Sequence, residues 1–594
     1  MLYTCFMESF LEYIKKYKTD RVGISIHTDK YIKFLESGTR LYDWERILSK
    51  SDGPIYDYQD IYEGFSRIGL ARFLNASAAL KCNGVKTIPL DNWMYLMECL
   101  LEDISLPHEK SGVEFLILEI SLALLTMENH PDYPGHGRFL KFLAELDPYE
   151  KYDSTLKKKA PHELHNFCMY GICAEYLRSL IVGCNPDDFI ERHWEIQRVK
   201  FNGNGMYMDP GNPMVYDITS RYRLALMISH GYKGSCFDDM MEVLQKGSMG
   251  LLFMISSDYK FPYGGRSNQY QFNEALLASL CEFYCNYYKD ISQEISGMFR
   301  VCAGNCIANL DDWMKLEEPR HIKNLFPVDS NYGTDGYGNY DRYMITAASF
   351  ITGAISMGKE EITGYVPPNE HGGFVYITGP DFHKVFASCS GYSVEIDTAA
   401  DPGYDASGLG RICHRLAPYG LAHATPFASS PAYRLGGMSN TAGRSTGVFW
   451  YEYGKMIHLA EAGGDVSVEI ISEDIDLVSF SLDYRIEGRG IIKEKYSIGS
   501  DGVSVKYSCD FAELGLCVPI LETLGEEEAV LTLKAGGAEV HYRGWVYRIS
   551  FTPATVCGHM GKMLYNRNGV YREMVVPCNS HNISANFRIR RENS

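Results

Sequence analysis

The chain of 594 residues is longer than one ordinary hydrophobic core requires, so two domains are the starting expectation. Hydrophobic residues make up 45%, which is the composition of a globular protein and excludes a disordered one. A formal net charge of -18 excludes general binding to nucleic acid or to an anionic membrane surface, both of which need a basic face, but leaves room for a small acidic ligand opposed by a local Arg cluster.

The chain starts MLYTCFMESFLEYIKKYKTD, with no basic segment followed by an apolar run, so no signal peptide and a cytoplasmic location are expected. From there to about residue 355, apolar residues recur at helical spacing in segments such as Val113–Met127, Glu163–Val182, Ile218–His230, Phe272–Tyr288 and Tyr343–Met357. In the second of these, Phe167, Tyr170, Ala174, Leu177 and Ile181 step by three or four and make one apolar stripe. The stretch VEFLILEISLALLTM carries Glu114 and Glu119 and is shorter than the ~20 residues of a membrane span. No strict repeat accompanies the helices, which argues against a solenoid and predicts an α/α toroid, a ring or incomplete barrel of helical hairpins.

Around Gly364–Asn369 (GYVPPN), read as a linker, the apolar period changes to two. VSVEI at 466–470 and VSVKYSC at 503–509 alternate most clearly, and Gly, Asp and Asn punctuate a long series of such segments. The expected fold class is therefore α+β multidomain: an α/α toroid over 1–362 followed by an antiparallel β-sandwich over 363–594. The 17 cysteines form no CxxC pair and no Cys/His cluster with zinc spacing, so free buried thiols are expected and no metal site is predicted. The 43 Tyr suit the faces and edges of sugar rings, and equally suit a large semi-polar interior.

Four polar clusters interrupt these patterns. His165-Asn166 opens the stripe that follows it and places an imidazole and an amide at a helix end; the same pair also reads as a helix cap. Gly203–Arg223 (GNGMYMDPGNPMVYDITSRYR) turns at Asp209–Pro213 into a helix expected from about Asp217, with Tyr216, Arg221, Tyr222 and Arg223 in its first turns. There Arg can pair with a carboxylate and Tyr can exchange a proton if a cation lowers its pKa; alternatively Asp217 caps the helix and the Arg residues are solvated. Phe261–Ala275 (FPYGGRSNQYQFNEA) sets Arg266, Ser267, Asn268 and Tyr270 directly after a Gly pair that lets backbone approach a ligand. Ala400–Arg415 reads as an irregular insertion between strands, carrying Asp401, Tyr404, Asp405, Arg411, His414 and Arg415; His371 and His383 lie nearby. No phosphate loop, dinucleotide fingerprint or nucleophile elbow occurs in a supporting context.

The helical half, the β half and these clusters together resemble the heparinase II/III-like group of polysaccharide lyases, built from an α/α toroid and an antiparallel β-sheet domain. In that group an Asn heads a toroid helix, where His165-Asn166 stands here with the group's Asn-His order reversed. A Tyr follows in a Gly/Asp-rich segment, matched by Tyr216 or Tyr222, and a His comes from the β domain, matched by His414. The Tyr motif is not reproduced letter for letter. The resemblance implies β-elimination of a uronate-containing glycan, with Asn166 and Arg266 neutralising the carboxylate and Tyr216 or Tyr222, with His165 or His414, as base and acid. Arg221, Asn268, Tyr270 and Arg411 complete the expected substrate contacts, and no redox cofactor is required. A cytoplasmic enzyme would act from the end of a short imported oligosaccharide. Two other readings stand beside this one. A glycoside hydrolase on the same scaffold needs two carboxylates ~5–9.5 Å apart, drawn from Asp209, Asp217 and Glu274. A non-catalytic carbohydrate-binding protein needs neither.

Overall fold

In the computed structural model, the residues described are 13, 20–25, 27–49, 67–105, 112–152, 160, 163–553 and 556–592. The N-terminal segment read above for a signal peptide lies largely outside them. The helical part comprises α1 (Thr28–Arg40), α2 (Arg67–Cys82), α3 (Leu90–Ser105), α4 (Val113–Met127), α5 (Gly137–Ala144), α6 (Asn166–Val182), α7 (Asp187–Arg198), α8 (Met214–Ser229), α9 (Phe237–Met254), α10 (Phe272–Tyr288), α11 (Gln293–Met314) and α12 (Tyr340–Met357), with shorter helical turns between them. The even-numbered helices follow one another around a ring, each packed on the next, and α12 packs back on α2. These inner helices are buried on nearly all sides, as α10 is from Phe272 to Cys285. The odd-numbered helices lie outside and are amphipathic: α7 buries Phe189, Ile190, His193, Trp194 and Gln197 and turns its charged residues outward.

Local chemistry sets the helix ends that matter here. Pro213 precedes α8 with φ -67 and ψ 131, so the helix starts at Met214 rather than near Asp217. The Met214 N–H, which has no acceptor inside the helix, donates to the Gly264 carbonyl at 3.2 Å. Asn166 is the first residue of α6, and Gly183 ends that helix in the left-handed conformation. Among the described residues no helix is long and apolar enough to cross a membrane. The described cysteines are free thiols, most of them buried.

The β part follows. The expected linker is structured: β2 (Ile362–Tyr365) pairs antiparallel with β1 (Arg21–Ser25), tying the two ends of the helical part together. Next comes a four-stranded sheet, β3 (Phe374–Ile377), β4 (Lys384–Cys389), β5 (Tyr392–Asp397) and β6 (Gly408–His414), in sequence order. Beyond it lie β7 (Gly447–Glu452), β8 (Lys455–His458), β9 (Asp465–Glu473), β10 (Leu477–Ile486), β11 (Gly490–Gly499), β12 (Gly502–Cys509), β13 (Leu514–Thr523), β14 (Val530–Lys534), β15 (Gly537–Tyr542), β16 (Trp545–Thr552), β17 (His559–Tyr565), β18 (Val570–Ser580) and β19 (Asn582–Arg591). They form an eight-stranded sheet ordered β14-β15-β16-β19-β12-β11-β10-β9 and a five-stranded sheet ordered β17-β18-β13-β7-β8. Their inward faces share one apolar core with the four-stranded sheet.

The irregular insertion expected at Ala400–Arg415 is in part β6. Both faces of that strand are covered, so it lacks the alternation by which a half-buried strand is recognised. Its Arg411 stands opposite Glu395 in the ladder and pairs with it at 3.0 Å, which is how a charged residue sits in an interior strand. The four-stranded sheet packs on the helical part. Phe374, Tyr376, Phe382 and Phe386 belong to the helical core, and the Tyr263 N–H donates to Glu395 Oε2 at 3.3 Å.

Candidate active site

All six inner helices begin at the same end of the ring, where their first turns enclose a cavity of about 370 Å³. Arg72 of α2, Phe115 of α4, Asn166 of α6, Tyr216 of α8, Phe272 of α10 and Thr346 of α12 all line it. Each helix N-terminus carries roughly half a positive charge in unsatisfied N–H groups, so six of them around one cavity favour an anion. No Asp or Glu is among the lining residues.

One carboxylate organises the polar wall from behind. Asp209, buried in the turn before α8, accepts the Asn166 backbone N–H at 3.1 Å and the Asn166 Nδ2 at 2.7 Å. It also pairs with the Arg266 guanidinium and lies 3.5 Å from His165 Nδ1. Arg266 donates a further bond to the Pro210 carbonyl at 2.6 Å, and its guanidinium stacks 4.6 Å from the centre of the Tyr216 ring. One acid thus fixes an amide, a guanidinium and an imidazole on one side of the cavity. The Asn166 Oδ1 is buried without a hydrogen-bond partner, a polar atom left over on the cavity wall.

The Tyr216 hydroxyl lies 2.9 Å from Ser267 Oγ, and that oxygen lies 3.0 Å from the Tyr337 hydroxyl. Burial pushes the Tyr216 phenol above its ordinary range, while the Ser267 hydrogen bond and Arg266 pull it back. The glycine pair holds the two loops together. Gly265, at φ +76, comes so close that a Cβ there would meet Pro213 Cβ at 2.7 Å. Deeper in the ring, Arg72 donates to Thr346 Oγ1 at 2.6 Å and lies 3.6 Å from Glu119; Arg223 lies under Tyr170, 4.1 Å from the ring centre.

Of the residues expected from the sequence, His165, Asn166, Tyr216 and Arg266 meet on this cavity. The others lie elsewhere. Tyr222 is buried in the ring, donating to the Phe350 carbonyl at 3.2 Å. Arg221 is fully buried, pairs with Asp217 and donates to the Gly247 carbonyl at 2.7 Å, pinning α8 to α9. Asp217 and the Arg residues of α8 are therefore neither cap nor solvated. Asn268 donates to the Pro262 carbonyl at 3.1 Å, and Tyr270 to Asp335 at 3.0 Å. Arg411 reaches from β6 to the Phe261 carbonyl at 3.0 Å, bracing the loop from beneath. His414 packs its ring 4.5 Å from Tyr392 and 6.1 Å from Trp545, within the β part. The β-part histidine nearer the loops is His383, which bonds Asp397 at 2.5 Å; next to it, Lys384 sits 3.4 Å from the Tyr263 ring centre. Asp405 accepts the Gly265 N–H at 2.9 Å, and burial pushes its carboxyl up to about 6.

Sequence reasoning did not reach Tyr337 or Arg72. Tyr337 lies in NYGTDGYGNY (331–340), a Gly-, Asn- and Tyr-rich run just ahead of an inner helix. That is the same signal that marked the two segments ahead of α8 and α10. Arg72 carried no signal, since it is one polar residue inside a helical stripe.

No protein-family model matches the sequence, and no curated protein matches it either. Solved structures do. Heparinase III is 9% identical, over 88% of this chain and 77% of that one, with a TM-score of 0.51. A heparan sulfate lyase mutant from Pedobacter heparinus is 9% identical over 88% and 76%, with a TM-score of 0.49. At this identity the likeness to heparinase III is one of fold: this chain has the helical toroid and antiparallel β-sheets of that enzyme.

Proposed function

We propose that the protein is a polysaccharide lyase that cleaves a uronate-containing glycan by β-elimination, with residues 1–362 as the catalytic domain and 363–594 as the β domain. The observation that carries this is the meeting of Asn166, His165, Tyr216 and Arg266 on one cavity ringed by helix N-termini. A uronate carboxylate placed there would accept from Asn166 Nδ2 and Arg266, which raises the acidity of the adjacent C5 proton by stabilising the enolate-like transition state. Tyr216, ionised to the phenolate, takes that proton, and protonated His165 gives its proton to the O4 leaving group. Electrons from the C5–H bond form the C4=C5 double bond as the C4–O4 bond breaks. The volume of about 370 Å³ is at the small end of the ~300–1,000 Å³ of ligand sites, which suits a short oligosaccharide attacked from its end, imported into the cytoplasm. Heparinase III, the fold neighbour named above, suggests a glycosaminoglycan-like uronate.

The carboxylates a hydrolase would use support it poorly. Asp209 is tied to Asn166 and Arg266, Asp217 is paired with Arg221, and Glu274 is paired with Lys323 at 2.9 Å. The test is incubation with a panel of uronate-containing oligosaccharides while near-ultraviolet absorbance is followed. Absorbance from a 4,5-unsaturated uronate is expected. Release of sugar with flat absorbance would establish hydrolysis instead, and saccharide binding without release would establish the binding-protein reading.

A further inference from the structure

Ser267 has an unusual backbone. It is buried, yet holds φ +59, a left-handed conformation that few residues other than glycine adopt. The surroundings enforce this. Asp405 holds the Gly265 N–H at 2.9 Å, and Asn273 Nδ2 donates to the Ser267 carbonyl at 3.2 Å. Strain that the surroundings enforce is a reason to look for a role. The result of this placement is that Ser267 Oγ sits between two phenols, 2.9 Å from Tyr216 and 3.0 Å from Tyr337. A serine hydroxyl has one proton to give and lone pairs to accept with, so it can take a proton from one phenol while passing its own to the other. Tyr216 is half-buried on the cavity, and Tyr337 is 40% exposed. All three residues line the cavity, so the chain of hydroxyls runs along its wall to Tyr337, its most exposed member.

Resting on the lyase reading of this site, we propose that Ser267 and Tyr337 are the proton outlet of Tyr216. The Tyr216 phenolic proton passes to Ser267 Oγ, the Ser267 proton passes to the Tyr337 oxygen, and the Tyr337 proton leaves to solvent water or hydroxide. Three O–H bonds break and three form, and the net change is one proton moved from Tyr216 to solvent. Tyr216 is left as the phenolate, which takes the C5 proton; after O4 departs with the proton from His165, the same path discharges Tyr216 again and His165 takes a proton back from solvent. Ser267 and Tyr337 act through Tyr216 and are positioning residues.

The charges around the path fit this role. Arg266 stacks on the Tyr216 ring with Asp209 behind it, and His165 lines the same cavity. Asp335, whose charge opposes ionisation of both phenols, is held by Arg567 in two bonds of 3.0 and 2.9 Å. Tyr343 packs its ring 6.5 Å from that of Tyr337. Burial raises both phenols, and the Ser267 hydrogen bond lowers Tyr216, so removal of that hydroxyl must make the Tyr216 proton harder to lose.

The experiment needs no substrate. With 3,5-difluorotyrosine placed at position 216 in the full chain, the fluorine resonance is followed against pH in the native background and in Ser267→Ala, Ser267→Gly and Tyr337→Phe. The expected result is a Tyr216 midpoint about one pH unit higher in the two Ser267 variants, the size of one lost hydrogen bond to an ionised group, and a smaller rise in Tyr337→Phe, whose hydroxyl touches Ser267 and not Tyr216. Ser267→Gly relieves the backbone, so its agreement with Ser267→Ala assigns the effect to the hydroxyl. A native midpoint in Ser267→Gly would overturn the path, and so would native elimination rates in Tyr337→Phe. Elimination assays on the same variants should show the rising limb of the pH–rate profile displaced in step, with about tenfold less activity at neutral pH. A native protein that eliminates no uronate would refute the lyase reading, while the fluorine titration would still decide on the path.

Discussion

Asp209→Asn tests the organisation of the site, because it keeps the shape of the carboxylate and removes its charge. Asp209 is 1% exposed and accepts from Asn166 through its backbone N–H at 3.1 Å and its Nδ2 at 2.7 Å, while its other oxygen holds Arg266. An Asn at this position still offers a carbonyl oxygen to Asn166. Its amide NH₂ then faces the guanidinium, donor against donor. Hydrogen bonds to charged groups are worth about 1.5–3 kcal/mol each, and the loss here falls on the Arg266 side. The Arg266 side chain is 25% exposed and can turn to water, which reduces the cost to stability to about 1–2 kcal/mol. The cost to turnover is larger, because Arg266 leaves the Tyr216 ring and would no longer meet the carboxylate of the proposed substrate. One lost transition-state donor is worth roughly 100-fold in rate. Asp209→Ala loses the Asn166 side as well, and should fall further in both stability and rate. Chemical denaturation and initial elimination rates on the two variants measure this. Native rates in Asp209→Asn would refute the argument that this acid positions the site. Equal loss of activity in both variants would mean that the carboxylate itself reacts, as a hydrolase requires.

Three other outcomes are expected. Tyr216→Phe should lose about 100-fold or more in elimination rate with little change in melting temperature, since only one hydroxyl in a hydrogen-bonded cluster is removed. Arg221→Met should cost about 3–5 kcal/mol in denaturation experiments by leaving Asp217 buried and unpaired, with the residual folded protein still active because neither group lines the cavity. In the β core, burial pushes the Glu494 carboxyl from 4.5 up to about 7, with the Tyr484 and Tyr496 hydroxyls opposing the shift. The folded state therefore holds a proton that the unfolded chain releases. Its stabilisation is complete below the unfolded pKa and lost as pH rises through about 7, so Glu494→Gln should gain about 3 kcal/mol on the native protein between mildly acidic and mildly alkaline pH. Parallel stability–pH curves for the two proteins would contradict this.

The sequence carried the fold further than it carried the site. The helical stripes located α4 and α10 to the residue because an inner helix still shows its heptad-like spacing of large apolar side chains. It failed at β6, where burial of both faces erases the period and the Arg411–Glu395 pair mimics surface polarity. The site was legible where a Gly-bearing loop leads into an inner helix, which is why Tyr216 and Arg266 emerged; Asn166 emerged from the His-Asn pair at a helix end. It was illegible where partnership decides. Arg221 and Tyr222 follow Tyr216 closely in sequence but rotate around α8 into the ring wall, and only the identity of their partners, Asp217 and the Phe350 carbonyl, tells them apart from a residue on the cavity. His414 shows the same limit across domains: a β-strand can reach toward the helices at one end and into its own sheet at the other, and position along the strand does not say which.

The charge of the chain and the charge of its site have opposite signs, and the ring geometry reconciles them. A protein with a net charge of -18 repels an anionic sugar at long range. Within about 8–10 Å at physiological salt, unscreened local charges govern. There an anion would meet six helix N-termini, Arg266 and Arg72, while the acids behind the wall, Asp209 and Glu119, are held by their partners. Closing a ring of parallel inner helices necessarily gathers all the positive ends at one face, so attraction for a carboxylate follows from the topology before any side chain is chosen. Side chains then supply what dipoles cannot: a donor fixed at one atom, a phenol held against a serine, and a guanidinium stacked on that phenol. A uronate is suited to such a site because its single carboxylate lies next to the carbon that must lose a proton, so the field that binds it is also the field that acidifies it.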